Sequence, residues 1–217
     1  MLHIISTPIG NLKDITYRAI ELLGSVDLVA AEDTRRTGKL LKAYSISTKL
    51  ASYNDINKKR MTPHLIKLLK EGKDIAIVSD AGTPGINDPA FYIVREAASA
   101  GIQISPVPGP CAAIAALVAS GCPTDSFGFY GFLPKKTKKM EDFLRALPEH
   151  TVICYESCYR VKKTLEIMNR IIPERKICVA REITKMHEEF IRGTPCEVLE
   201  RLKTIKGEFV VLISKPD

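Results

Sequence analysis

The sequence predicts an α/β protein made of two α/β domains, the first with a mostly parallel sheet and the second with a mixed sheet. Three observations carry this. Short apolar segments alternate with amphipathic helical ones through the first half, the signature of repeated βα units. The turn formers of Ser120-Gly121-Cys122-Pro123-Thr124-Asp125 break that alternation and mark a junction, giving domains over 1–120 and 121–217. The gap from Arg181 to His187 is too short for a parallel crossover, so at least one strand pair of the second half is antiparallel.

In order, the strands of the first half are expected at Leu2–Ser6, Leu28–Ala31, Lys49–Tyr53, Asp74–Ser79 and Gln103–Val107. Helices are expected at Asp14–Leu23, Thr37–Tyr44, Pro63–Glu71, Pro89–Ala100 and Pro110–Ser120. In Pro63–Glu71, residues Leu65, Ile66, Leu68 and Leu69 form an apolar stripe behind a Thr62 cap. The helix from Pro110 carries small residues (Ala112, Ala113, Ala115, Ala116) that permit close backbone approach. In the second half, strands are expected at Phe127–Phe132, Thr151–Tyr155, Lys176–Ala180, Glu188–Arg192 and Glu208–Ser214. Its helices fall at Lys138–Leu147, Tyr159–Ile172 and Pro195–Lys203, and Val161, Leu165, Met168 and Ile172 keep helical spacing and read as core.

The segment Ser79-Asp80-Ala81-Gly82-Thr83-Pro84-Gly85-Ile86-Asn87-Asp88-Pro89 stands out. It follows Asp74–Val78, a buried strand by composition, and its eleven residues include two Gly, two Pro, two Asp and an Asn. Ordinary βα turns run to about 2–6 residues. Gly82 and Gly85 permit backbone conformations closed to other residues, while Pro84 and Pro89 fix φ. Asp88 before Pro89 reads as an N-cap followed by Pro at the first helical position. A stiff, carboxylate-bearing loop at the carboxyl end of a parallel strand is where open α/β sheets bind ligands.

Composition narrows the function classes. Hydrophobic residues make up 45% of the 217, ample for packed cores, and the charged share of 26% is ordinary for a soluble protein. The apolar runs are too short to span a bilayer, and Met1–Ser6 leads straight into a strand pattern, so a cytoplasmic chain without membrane association is expected. The six cysteines form no CxxC pair, and neither they nor the four histidines show zinc spacing, so no metal site or disulfide is expected. No two glycines stand two residues apart, which excludes GxGxxG, and the P-loop motif is absent. An ordinary Rossmann dehydrogenase, a GxGxG methyltransferase and a P-loop NTPase are therefore disfavoured. The net charge of +7 is concentrated in Arg35-Arg36, Lys58-Lys59-Arg60, the Lys135–Lys139 run and Lys162-Lys163, a distribution that suits an anionic partner.

Four unusual loops line up at strand ends: Ser6–Leu12, Glu32–Arg36, Ser79–Pro89 and Pro106–Ala112. On one rim of one sheet they would make a cleft. The Glu32-Asp33 pair beside Arg35 reads either as a structural ion pair or as a site that orients a substrate, since charges directly after a buried strand need partners.

These loops also carry a resemblance. Thr7-Pro8-Ile9-Gly10-Asn11-Leu12, Glu32-Asp33-Thr34-Arg35, Ser79-Asp80-Ala81-Gly82-Thr83-Pro84, Pro108-Gly109-Pro110, Gly131-Phe132-Leu133-Pro134, Tyr155-Glu156-Ser157 and Arg181-Glu182-Ile183-Thr184-Lys185-Met186-His187-Glu188 follow in order, within a match from about residue 3 to residue 213. Together they resemble the small-subunit ribosomal RNA cytidine 2′-O-methyltransferases of the tetrapyrrole-methylase superfamily, which are class III S-adenosylmethionine methyltransferases. The resemblance implies S-adenosylmethionine as methyl donor, held between two α/β domains, and a homodimer. It implies a target in small-subunit ribosomal RNA, as RNA or as the assembled particle, at a cytidine ribose of the decoding centre.

For the donor, the resemblance implies Asp80, Thr83 and Pro84, with Cys111 and Ala112 and with Tyr155 and Glu156. Asp80 would give its carboxylate to the donor's ribose hydroxyls or its ammonium, while Pro8, Gly10 and Asn11 would form a wall near the transferring methyl. In-line displacement at a sulfonium needs positioning, which can supply about 7–11 kcal/mol, and a route for the hydroxyl proton. Candidates for that role are Glu32, Asp33, Glu182, Lys185 and His187, with Glu182 and Lys185 the favoured pair; the charged run 181–188 also reads as an interdomain salt-bridge network. At the RNA, the expected residues are Asn11, Glu32, Arg35, Arg36, Lys135 and Lys136, the cations on phosphates, which position RNA without reading its sequence. The lysine run reads equally as a solvated loop and helix start.

The resemblance leaves two departures. Asp88-Pro89-Ala90 stands where the family usually shows Asp-Pro-Gly. The sequence stops at Asp217, where members commonly continue past the last strand with a helical extension, so delivery of the ribosomal substrate is the expectation this puts in question. Alternatives are a C-methyltransferase acting on a tetrapyrrole such as a corrin precursor, and a non-catalytic RNA-binding ribosome-assembly protein.

Overall fold

A computed structural model describes residues 1–216; Asp217, the end of the expected second domain, lies outside the described residues. The chain divides into two compact units, Met1–Cys111 and Ala112–Asp217.

The first unit contains β1 (Leu2–Ile5), α1 (Tyr17–Ser25), β2 (Leu28–Ala31), α2 (Thr34–Ala43), β3 (Leu50–Ser52), α3 (Lys58–Lys70), β4 (Ile75–Val78), α4 (Ala90–Ser99) and β5 (Ile104–Val107). Its strands lie in the order β3-β2-β4-β1-β5, and every pair is parallel. Leu23 of α1 and Leu41 of α2 pack with Val29, Ala31 and Val78 in one core. Leu65 and Leu69 of α3 and Ile93 and Ala97 of α4 pack with Ala30, Ile75 and Ile77 in another. Successive residues Ala30 and Ala31, or Ile77 and Val78, thus enter different cores, as the two-residue period of a strand requires. Burial on both faces explains why β4 reads as an unbroken apolar run.

The strand order also fixes where loops diverge. The chain leaves β2 toward β3 on one side and leaves β4 toward β5 on the other, although β2 and β4 are neighbours. The crevice between their carboxyl ends is a topological switch point, the place where open α/β sheets accept ligands.

Helix starts differ from expectation where capping overrides the apolar pattern. Thr16 caps α1 by accepting from Ala19 N–H, so Asp14 falls in a preceding 3-10 turn, Leu12–Asp14. Helix α3 begins at Lys58, which places Pro63 in its interior and Thr62 on its buried face, where the hydroxyl meets Tyr53 Oη at 3.1 Å. Helix α4 begins at Ala90 with Pro89, rather than Asp88, at the N-cap position, and Asp88 accepts Ala90 N–H and Gly85 N–H at 2.8 Å each.

The second unit contains α5 (Ala112–Ser120), β6 (Phe127–Phe132), α6 (Thr137–Arg145), β7 (Thr151–Ser157), α7 (Val161–Ile171), β8 (Ile177–Arg181), β9 (Glu189–Gly193), α8 (Pro195–Arg201) and β10 (Glu208–Ile213). The order is β6-β7-β10-β8-β9, with β6–β7 parallel and the other pairs antiparallel, hence a mixed sheet. Met140, Leu144, Leu165, Met168 and Val198 of α6–α8 join Val152, Cys154, Val179 and Val211 in its main core. Helix α5 packs across β7, β8, β9 and β10, and Arg192 donates to the carbonyls of Ala119 and Ser120 at its end. The junction therefore precedes this helix and falls at residue 111/112 rather than at 120/121. The turn formers at 120–125 connect a helix to a strand of the same unit, which sequence pattern alone does not distinguish from a linker.

Candidate active site

The loops after β1, β4 and β5 are laced together by backbone and hydroxyl contacts. Thr7 and Gly82 exchange N–H···O bonds at 2.9 and 3.0 Å. Ser6 Oγ lies 3.0 Å from Thr83 Oγ1, which lies 3.0 Å from the Pro110 carbonyl oxygen. Gly82, at φ +81°, turns the chain in a region that favours glycine. At Gly109 a Cβ would stand 2.9 Å from Ser6 Cβ, so only glycine lets these two backbones approach.

At the β2/β4 crevice, Glu32 Oε2 accepts Asp80 N–H at 3.3 Å. Arg36 Nη1 stands 3.3 Å from Asp80 Oδ2, while Asp80 Oδ1 is buried without a hydrogen-bond partner. Beside it is a cavity of about 180 Å³ lined by Thr7, Pro8 and Leu12, by Ser79 and Asp80, and by Arg36, Thr37, Lys39 and Leu40 of α2. Burial raises the Glu32 pKa, assisted by the carboxylates of Asp80, Asp88 and Asp55 and opposed by the Asp80 N–H. Asp33 is otherwise committed. It caps α2 through Arg35 N–H at 2.8 Å and grips the Arg35 guanidinium at 3.1 and 2.7 Å, which holds its carboxyl well below the usual range.

In the second unit, Glu156 is the penultimate residue of β7, with its side chain wholly enclosed. It accepts from Thr164 Oγ1 at 2.7 Å and from Ser157 N–H at 2.7 Å, and pairs with Arg160 at 3.1 Å. Arg160 in turn donates to the carbonyls of Leu133 and Pro134. At the end of β8, Glu182 adopts φ +50° and accepts Lys185 Nζ at 2.8 Å and Glu208 N–H at 2.9 Å. Burial works to raise the Glu182 pKa, but the Lys185 and Glu208 hydrogen bonds outweigh it and hold the carboxyl below its ordinary value. Burial likewise opposes the charge on Lys185, yet bonds to Glu182 and Glu208 raise its pKa, so the ammonium stays protonated. Of the carboxylates considered for the proton, only Glu32 shifts upward; Asp33 and Glu182 shift downward. His187 is exposed.

The sequence matches the family of Tetrapyrrole (Corrin/Porphyrin) Methylases over residues 1–198. It is 48% identical over 216 residues to a ribosomal RNA small subunit methyltransferase I from Halalkalibacterium halodurans, covering 98% of this chain and 75% of that protein. The corresponding protein of Bacillus subtilis is 47% identical, with 98% and 74% covered. The chain belongs to the ribosomal RNA small subunit methyltransferase I family, within the tetrapyrrole methylases. Among family members, that of Hydrogenobaculum is 46% identical and matched over 95% of its own length. The fold of this family member agrees with solved structures, including the methyltransferase CobJ at TM-score 0.71 and 20% identity, covering 99% of this chain and 93% of that one. A uroporphyrin-III C-methyltransferase from Thermus thermophilus, solved with S-adenosyl homocysteine, gives TM-score 0.66 at 14% identity, with 98% and 96% covered.

The expected site residues of this family member thus fall into separate groups. Pro8, Asp80 and Arg36 line one cavity, and Glu32 touches it through Asp80. Thr83 belongs to the lacing of loops, and Pro84 follows it between the positive-φ glycines. Gly10 and Asn11 are exposed, Asn11 accepting Lys13 N–H at the 3-10 turn. Cys111 closes the first unit and Ala112 opens the second. Tyr155 lies in β7 against two phenylalanines, and Lys135 and Lys136 are exposed before α6. Ser6 and Arg160 were not singled out from sequence. Ser6 had a signal in its place as the first residue of the Ser6–Leu12 loop, whereas nothing local links Arg160 to the 133–134 carbonyls.

Proposed function

We propose that this chain transfers a methyl group from S-adenosylmethionine to a cytidine 2′-hydroxyl of small-subunit ribosomal RNA, as a cytoplasmic homodimer. The near-full-length identity to the family supports the RNA substrate class. The enclosed, unpartnered Oδ1 of Asp80 beside a cavity supports the donor, whose ammonium and ribose hydroxyls are the hydrogen-bond donors that atom lacks. When bound, the donor supplies an electrophilic methyl on a sulfonium. No described helix is long and apolar enough to cross a membrane.

The roles of the residues follow from their commitments. Asp80 binds the donor, and Glu32 holds the Asp80 backbone in place. Gly82, Thr83 and Gly109 keep three loops at fixed separation, so that positioning is built before binding. Lys185, oriented by Glu182 and Glu208, is a fixed cation suited to a developing 2′-alkoxide rather than a proton acceptor. Arg35, Arg36, Lys135 and Lys136 serve phosphates.

Labelled S-adenosylmethionine should deliver one methyl per particle to assembled small subunits lacking the modification, at one cytidine whose 3′ linkage resists alkali. Donor binding without transfer to these particles would overturn the RNA reading and move the substrate to another class. Glu182→Gln should lower kcat with donor affinity unchanged; a wild-type rate would remove the Glu182–Lys185 pair from the reaction.

A further inference from the structure

We propose that Phe132, backed by Tyr155 and Phe129 and followed by Lys135 and Lys136, is a platform on which an unpaired nucleotide of the RNA stacks. The proposal rests on the RNA reading above and adds to it a place where the strand is held.

Strand β6 is the edge of the second sheet. Its register against β7 pairs Phe129 with Ile153 and Phe132 with Tyr155, with an irregularity between them. Residues three apart on a regular strand point to opposite faces. Here Gly131, at φ +65°, absorbs the extra residue, and Phe129 and Phe132 stand on one face. Both rings meet Tyr155 edge to face, with centroids 4.9 and 5.8 Å apart. Tyr130 is turned to Phe143 and His150 instead.

Phe132 remains 52% exposed. It is nonetheless firmly placed, because the next residue, Leu133, is buried and Arg160 holds the carbonyls of Leu133 and Pro134. Arg160 is itself anchored by the enclosed Glu156. A half-open aromatic ring on an anchored segment has no structural necessity. Beyond it, Lys135, Lys136, Lys138 and Lys139 are all exposed, and among the described residues none makes an ion pair. Aromatic rings beside unpaired cations are how proteins hold single strands, the base on the ring and the backbone on the cations. A second copy of this chain would bring its own +7 charge to the patch, and the adenine of the donor would leave four lysines without purpose.

The test is binding of a short fluorescent unpaired RNA, followed by anisotropy, alongside calorimetry with S-adenosylmethionine. Phe132→Ala should weaken RNA binding at least about fivefold, the low end of base stacking on a protein ring. Phe132→Trp should restore it, and donor affinity should not change. The double variant Lys135→Ala, Lys136→Ala should lower the slope of log affinity against log salt by about 1.4, at roughly 0.7 per phosphate of a single strand. Four results would overturn the platform: no RNA binding by the wild type, unchanged RNA affinity in Phe132→Ala, donor affinity lost in its place, or an altered oligomeric state. If the wild type binds RNA with this pattern yet methylates no small subunit, the platform stands and the methylation reading fails. If Phe132→Ala binds RNA and methylates subunits like wild type, the reverse holds.

Discussion

Asp80 holds Arg36 with one carboxylate oxygen at 3.3 Å and keeps the other enclosed without a partner. A buried, unpaired carboxylate oxygen destabilises a protein unless something else gains from it. At the β2/β4 switch point, beside a cavity, the donor binding proposed above would supply that gain.

Asp80→Asn should therefore separate binding from stability. Loss of a charge-assisted hydrogen bond, about 1.5–3 kcal/mol, should weaken S-adenosylmethionine about 10- to 150-fold by calorimetry. The melting temperature of the free protein should stay level or rise. A large fall in melting temperature with unchanged donor affinity would make Asp80 a structural residue.

Glu32 should leave a pH signature of its own. Its carboxyl is raised in the folded protein by burial, so the folded state binds its proton more tightly than the unfolded chain does. This group favours folding fully below the unfolded carboxylate pKa, about 4.3. That contribution is lost as pH rises through the folded pKa. Glu32→Gln removes the dependence, so the variant should gain stability relative to wild type as pH rises from 4 toward 7. Urea midpoints across that range check it; a constant difference would mean the folded and unfolded values coincide.

Gly109→Ala tests the lacing of the loops. The new Cβ would meet Ser6 Cβ at 2.9 Å, and strand β1 and the 108–110 turn must move apart. Overpacking of this kind costs about 1–3 kcal/mol. Denaturation should show that loss, and donor affinity should fall further than in a surface control such as Gly24→Ala in α1, whose Cβ meets only Ile46 Cγ1 at 4.0 Å.

Glu156→Gln tests whether the buried carboxylate serves the fold. It leaves Arg160, 25% exposed, without its counter-charge while the carbonyls of Leu133 and Pro134 still hold it. Removing one partner of a buried pair costs about 3–5 kcal/mol, and the partial exposure of Arg160 places the expectation at the low end. Urea unfolding should register it without disturbing the laced loops of the first unit.

The architecture was legible wherever local pattern and burial agree. The alternation of apolar segments and helices located the elements of both sheets, and the short Arg181–His187 gap forced the β8–β9 antiparallel pair. Helix starts were less legible at Thr16 and Lys58, because a side-chain cap or a tolerated interior Pro63 leaves the apolar stripe unchanged. Helix α5 was assigned to the wrong side of the junction, since an all-round small apolar helix does not reveal which sheet it will cover.

The site divided in the same way. By itself, the sequence determined the loops after strands, the glycines that let them approach, the absence of other nucleotide motifs and the family. Each of these depends on residue type and spacing along the chain. Only the tertiary structure decided which carboxylates are spoken for. Asp33 is bound by Arg35, Glu182 by Lys185 and Glu156 by Arg160, while Asp80 retains a buried oxygen to offer. That distinction depends on which side chains meet across strands and loops distant in sequence, and on how completely water is excluded where they meet.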